Sequence, residues 1–147
     1  MLGAALALYW AGNFNPYNFT IALIGVISAM VGTYTFNEYY DFKSGVDVNI
    51  PTEHVTPFNA GSRVLPSALL KPEPVFKLGV MAWILYTLIA IYFTFTVGWM
   101  IIPLSLIGFI SGAFYTMPPF KWAYRGVGKF LICLNYDPLI TLVEIPC

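Results

Sequence analysis

The chain has 147 residues, of which 59% are hydrophobic, 18% aromatic and only 10% charged, and its mean hydropathy is +0.74; a soluble domain carries about a quarter charged residues. The polar bias of a disordered chain, the glycine period of collagen, the cysteine density of a disulfide scaffold and the basic excess of a nucleic-acid binder are all missing. Residues 78–120 contain no charge at all, and no water-facing surface can be built from such a stretch. The composition therefore predicts an all-α, polytopic bundle of transmembrane helices, about four to five spans in a single domain over residues 1–147.

A helix rises about 1.5 Å per residue and the hydrocarbon layer is about 30 Å thick, so a span takes about 20 apolar residues. Residues 2–11 are apolar but too few to cross, and they lack the basic flank and small-residue cleavage site of a secretory signal; they read as the tail of a truncated helix. A turn-rich stretch at 12–18 precedes the first full span, residues 19–36, which the first charge of the chain, Glu38, closes. After a charged connection, residues 78–97 and 99–116 form two more spans, a helical hairpin with Gly98 at its tight turn. Residues 117–129 are charged again, and 130–145 make a last apolar stretch interrupted by Asn135 and Asp137. Small residues one turn apart, at Gly25 and Ala29, Ser28 and Gly32, and Gly108 and Gly112, allow helix backbones to approach closely. Packing within the chain, rather than dimerisation, is expected of them.

All seven Lys and Arg residues fall in 37–77 and 117–129, and none falls in 12–18 or at the Gly98 turn. Counting the spans alternately puts both charged connections on one side, which the positive-inside rule makes cytoplasmic. The net charge of zero hides this asymmetry.

Chemistry concentrates at the start of the first charged connection, in Asn37-Glu38-Tyr39-Tyr40-Asp41-Phe42-Lys43-Ser44-Gly45-Val46-Asp47. If the preceding helix runs one turn further, Asn37, Glu38 and Asp41 stand three and four residues apart and project from one face, with Asp47 able to return across the Ser44-Gly45 turn. Hard oxygen donors of this kind suit Mg2+, which takes one or two carboxylates and completes its shell with water and substrate phosphates. A diphosphate is the expected substrate group. Acidic residues at a membrane surface are common and by themselves mark nothing. Here they share one side of the membrane with Arg63, Lys121, Arg125 and Lys129, which can grip phosphate oxygens, Arg bidentately and Lys as a point charge. Each of these cations has the alternative role of fixing topology, the role left to Lys43 and Lys71.

Other residues carry less. His54 stands alone in a polar loop, and Cys133 and Cys147 lack metal-ligand spacing. Gly126-Val127-Gly128-Lys129 lacks the spacing and the Ser or Thr of a phosphate loop. Asp137 is ionisable within an apolar stretch, which makes it a functional candidate, but beside Pro138 it reads rather as a broken helix or an altered tail.

In these segments the chain resembles the intramembrane UbiA-type aromatic prenyltransferases. Asn37, Glu38 and Asp41 align with that family's Asn-Asp-x-x-Asp element, with Glu in place of the first Asp. The run from Lys43 to Asp47, then Pro57-Phe58-Asn59-Ala60-Gly61-Ser62-Arg63-Val64-Leu65-Pro66, and later the segment from Tyr115 to Gly128, are most similar to the 1,4-dihydroxy-2-naphthoate prenyltransferases of menaquinone synthesis. The resemblance implies Mg2+-dependent transfer of a polyprenyl group from an isoprenyl diphosphate to an aromatic quinone precursor, in the cell membrane and with the tail leaving toward membrane lipid. It implies Asn37 and Asp41 as the leading metal ligands and catalytic groups, with Asp47 and then Glu38 as further ligands. Arg63, Lys121 and Arg125 would grip the diphosphate, and Tyr39, Tyr40, Tyr115 and Tyr124 would shelter an allylic cation with their rings. Family members carry further helices and a second Asp-rich motif, which the sequence ends before reaching. Lys129 stands where the subgroup has Glu, and Asn135-Tyr136-Asp137-Pro138 replaces a Phe-Gly-Pro-like stretch. The chain is thus expected to be roughly the first half of such a protein, with an altered terminal sequence and no activity alone. Two alternatives stay open: another acceptor within the same superfamily, and a catalytically inactive membrane fragment.

Overall fold

A computed structural model of the chain describes residues 9, 15–46, 48 and 62–134. Among the described residues there is helix, turn and connecting loop, and no strand. Most of the expected truncated helix at 2–11, Asp47, His54, residues 56–61, Asp137 and Cys147 lie outside the described residues, as does the end of the expected span at 130–145.

Helix α1 is Pro16–Ser44. Asn15 caps it, its side-chain oxygen accepting from the backbone N–H of Tyr17 at 3.1 Å and of Asn18 at 3.2 Å, while Pro16 sits where a missing N–H costs nothing. No helix breaker intervenes before Gly45, which closes the helix in the left-handed region (φ 80°) with its N–H on the Phe42 carbonyl. Twenty-nine residues make a rod of about 43 Å. That exceeds the hydrocarbon layer, so the two turns after Phe36 project past it and carry Asn37, Glu38 and Asp41.

Helix α2 is Pro72–Thr96. It begins earlier than hydropathy indicates, because Pro72 pre-sets the first turn and Glu73 complements the amino-terminal dipole. Helix α3 is Ile101–Ala113, shorter than the apolar stretch 99–116. Trp99 and Met100 are used up in the turn after Gly98 (φ 142°), where the Ile102 N–H bonds the Trp99 carbonyl. At its other end the Phe114 N–H is shared between the carbonyls of Ile110 and Gly112, and the chain then turns toward Pro118. A 3-10 turn, Trp122–Arg125, and a short helix α4, Gly128–Leu134, follow. Cys133 is exposed on α4.

Helix α1 packs most extensively on α2, and α3 leans on both; α2 and α3 form the expected hairpin about the Gly98 turn, with Trp83 on Phe109 and Phe93 clustered with Ile101. Trp83, 4% exposed, is the centre of this packing. Its indole stands edge-on to Phe109 (centroids 4.9 Å apart) and Tyr86 (5.5 Å), and it lies so close to Gly32 that a Cβ there would be 2.8 Å from Nε1. Gly25 faces Ile89, and Gly112 faces Thr33 and Trp83. The small-residue pairs therefore serve helix contacts within the chain. Toward the other end of the bundle Ala22, Phe93 and Ile101 form a second buried cluster.

Two of the described helices, α1 and α2, are long and apolar enough to cross a membrane. Helix α2 also leaves large apolar side chains exposed along its length, among them Met81 (66%), Leu88 (58%) and Phe95 (87%). In water such a surface would be a liability; against lipid or further helices it is the expected outer face.

Candidate functional site

The last two turns of α1 send Asn37, Glu38 and Asp41 to three destinations. Asn37 turns inward: its Oδ1 is buried and has no hydrogen-bond partner, and the residue lines a cavity of about 440 Å³ between α1, α2, α3 and α4. Glu38 turns outward, its Oε1 accepting from the backbone N–H of Ser62 at 3.0 Å. Asp41 accepts a hydrogen bond from the Tyr124 hydroxyl. The expectation that one helical face presents all three residues holds for the backbone spacing, but the loop and the 3-10 turn draw Glu38 and Asp41 to separate partners.

The cavity wall is apolar in effect. On α1 its lining residues step by three and four, through Ala22, Val26, Ala29, Thr33 and Asn37. Ser105 and Ser111 also line it, yet their hydroxyls bond carbonyls of their own helix, at 2.8 Å to Ile101 and 2.7 Å to Ile107. The Tyr86 hydroxyl is likewise satisfied by the Ser105 carbonyl at 3.0 Å. Asn37 Oδ1 and Trp83 Nε1 are thus buried polar atoms without a partner on residues that line the cavity, whose side-chain hydroxyls at Ser105, Ser111 and Tyr86 are bonded. Such an atom costs free energy unless something else meets it.

Tyr124 reaches Asp41 because the chain after α3 folds back. The Ala123 N–H bonds the Tyr115 carbonyl at 2.9 Å, and the Lys121 N–H bonds the Met117 carbonyl at 3.2 Å. Lys121 takes a left-handed conformation (φ 47°) to enter the 3-10 turn, and Arg125 ends it. Arg63 follows Ser62 directly, also left-handed (φ 54°), so its backbone is held beside Glu38. The structure therefore brings Asn37, Glu38, Asp41, Arg63 and Tyr124 to one end of the bundle, with Lys121 and Arg125 flanking Tyr124. Tyr115 lines the cavity and lies within electrostatic reach of Asp41.

Tyr39 and Tyr40 are placed otherwise. Tyr39 packs on Phe76 (4.9 Å) and under the Lys43 ammonium (5.7 Å), while Tyr40 stands edge-on to Phe36 and Tyr39. They brace α1 against the start of α2, and neither lines the cavity. The rings that do, besides Tyr115, are Tyr34, Trp83, Tyr86 and Phe93, which the sequence reading did not single out. One signal was available for the first: Thr33 and Tyr34 precede Asn37 by four and three residues, the spacing of a shared helical face.

Beyond the span, the Asp41 carboxyl is held above the usual carboxylate range, chiefly by burial; the Tyr124 hydrogen bond opposes this and the neighbouring Glu38 charge adds to it. Among the described residues no three His, Cys, Asp or Glu side chains gather as a metal cluster. The donors one helical turn apart are the unpartnered Asn37 Oδ1 and the Asp41 carboxylate. An amide oxygen and a carboxylate are hard donors, the set that a small divalent cation with remaining water and phosphate ligands accepts.

The chain is 27% identical over 137 residues to the 1,4-dihydroxy-2-naphthoate octaprenyltransferase of Bacillus subtilis (strain 168), covering 92% of this chain and 42% of that protein. It is 26% identical over 143 residues to UbiA prenyltransferase domain-containing protein 1 of Rattus norvegicus and 24% identical over 143 residues to the Homo sapiens protein of that name, in each case covering 96% of this chain and 40% of the relative. The chain thus spans about two fifths of the length of these relatives. No solved structure gave a significant match. The UbiA prenyltransferase family profile matches residues 1–142, nearly the whole sequence, and the chain belongs to that family.

Proposed function

We propose that these residues belong to a Mg2+-dependent enzyme that transfers a polyprenyl group from an isoprenyl diphosphate to an aromatic acceptor, 1,4-dihydroxy-2-naphthoate of menaquinone synthesis. The observation that carries the reading is the buried, unpartnered Asn37 Oδ1, one helical turn from Asp41 at the charged end of an apolar cavity. Membership of the UbiA family and the name of the Bacillus subtilis relative support the reaction class and the acceptor.

Asn37 and Asp41, with Asp47 as a further ligand from the sequence, would hold the cation, which when bound would supply Lewis-acid stabilisation of the departing diphosphate. Arg63, Lys121 and Arg125 grip the diphosphate oxygens, the two arginines in a bidentate manner. As the carbon–oxygen bond to the diphosphate breaks, Tyr115 offers its ring face to the allylic cation. The apolar lining excludes water, which would otherwise capture that cation, and receives the polyprenyl tail. The acceptor ring carbon that bears the carboxylate attacks the allylic carbon, and the carboxylate then leaves that same carbon as carbon dioxide, its bonding electrons returning the ring to aromaticity. The charged end of the bundle faces the cytoplasm, where a water-soluble diphosphate headgroup is delivered.

The test is prenylation of 1,4-dihydroxy-2-naphthoate by the longest natural chain containing these residues, with and without Mg2+. Turnover should require the cation and be abolished by Asp41→Ala. Undiminished turnover in Asp41→Ala removes the metal assignment, and prenylation of a different aromatic acceptor alone removes the naphthoate.

A further inference from the structure

The Glu38 carboxylate occupies the position of a metal-motif residue, yet in the structure its Oε1 is bonded to the backbone of a distant loop. We infer that Glu38 is a positioning residue: it anchors the loop that carries Arg63 at the charged end of α1, and it does not ligate the metal. The inference rests on the proposed diphosphate chemistry for its consequence, but not for its geometry.

Three observations support it. The Ser62 N–H donates to Glu38 Oε1 at 3.0 Å across 24 residues of sequence. The loop is built around that point: the Val64 N–H bonds the Ser62 hydroxyl at 3.3 Å, the Ser67 N–H bonds the Arg63 carbonyl at 3.0 Å, and the Leu69 N–H bonds the Val64 carbonyl at 3.0 Å. Leu65 in the same turn is buried, 3% exposed. Arg63 itself adopts φ 54°, a conformation that a non-glycine residue keeps only where its surroundings over-determine it. Glu38 supplies one of those constraints immediately before it.

The length of the side chain decides the matter. An Asp at this position would be shorter by one methylene, about 1.5 Å, and its oxygen would fall outside hydrogen-bond reach of Ser62. A Gln would keep the reach and the acceptor oxygen while losing the charge that a cation seeks. Anchor and ligand therefore predict opposite orders for the two conservative variants.

The experiment compares wild type, Glu38→Gln, Glu38→Asp and Glu38→Ala in the longest natural chain containing these residues. Three quantities are read: hydrogen exchange of the Ser62 amide by mass spectrometry, Mn2+ affinity by electron paramagnetic resonance, and KM and kcat for an isoprenyl diphosphate. Glu38→Gln should keep the amide protected, whereas Glu38→Asp and Glu38→Ala should expose it and raise KM about five- to tenfold, the loss expected for a partly exposed hydrogen bond to a charged acceptor. Their kcat should change less than KM, and Mn2+ affinity should shift only slightly and alike in Glu38→Gln and Glu38→Ala, which both remove the charge beside Asp41, and stay at the wild-type value in Glu38→Asp. A large loss of Mn2+ affinity in Glu38→Gln that Glu38→Asp restores would overturn the inference, as would equal Ser62 exchange in all four. If wild type turns over no diphosphate, the proposed reaction fails, and Ser62 exchange with Mn2+ affinity still decides whether Glu38 is anchor or ligand.

Discussion

At Asp41 three influences meet with opposite signs. Burial and the Glu38 charge favour the protonated acid, and the Tyr124 hydroxyl, by donating to the carboxylate, favours the ionised form. Removing that hydroxyl leaves the two raising influences unopposed, so Asp41 takes up its proton at a higher pH. A proton and a divalent cation compete for one carboxylate. Tyr124→Phe is therefore expected to lose Mg2+ affinity on acidification earlier than wild type does, which a Mg2+ titration at a series of pH values would record; coincident profiles would show that the hydroxyl does not bear on Asp41. For folding the sign is fixed by the same rise. A carboxyl raised above its unfolded value contributes stability below that value and loses it as pH rises through the folded pKa. Asn37 and Asp41 were legible as polar groups just past an apolar span. The hydroxyl role of Tyr124 was not, because its partner lies 83 residues away and only the fold-back after α3 brings them together.

Among the helices, the contact between Gly32 and Trp83 sets how closely α1 and α2 approach. A Cβ at Gly32 would stand 2.8–3.0 Å from three indole atoms, and the indole is packed edge-on against Phe109 and Tyr86. Gly32→Ala should cost about 1–3 kcal/mol through overpacking. Gly25→Ala should cost less, since its Cβ would meet the Ile89 methyl at 3.1 Å. Thermal unfolding in detergent would compare the two, and equal losses would mean that the indole yields. The helix ends show why hydropathy reads some boundaries and misses others. Glu38 announces the end of an apolar span, but α1 continues because nothing before Gly45 breaks its hydrogen bonds. The limits of α3 are invisible to hydropathy, since Trp99, Met100 and Phe114 are as apolar as the helix they flank.

The molecule as a whole is organised by polarity along its axis. Its basic residues lie at one end, and large apolar side chains of α2 face outward along the middle. In a background of Cys133→Ser and Cys147→Ser, a membrane-impermeant thiol reagent added to intact cells should label Thr96→Cys, next to the Gly98 turn, and leave Ser67→Cys unlabelled until the cells are opened. Both positions are exposed, so the reverse pattern would invert the proposed orientation. The all-helical architecture and the polar end of the site were legible because membrane insertion writes them into composition and charge placement. The cavity was less so, because its lining is read only once four helices are brought together.

The two ties that hold the polar end of α1 differ in span. Glu38 reaches a partner 24 residues away and Asp41 one 83 residues away, which makes the second closure about 1 kcal/mol more costly in chain entropy. During synthesis residue 62 also leaves the ribosome well before residue 124. The nascent chain can thus fasten the loop of Arg63 while Asp41 still lacks its hydroxyl partner, and Lys121 and Arg125 reach the polar end only together with Tyr124.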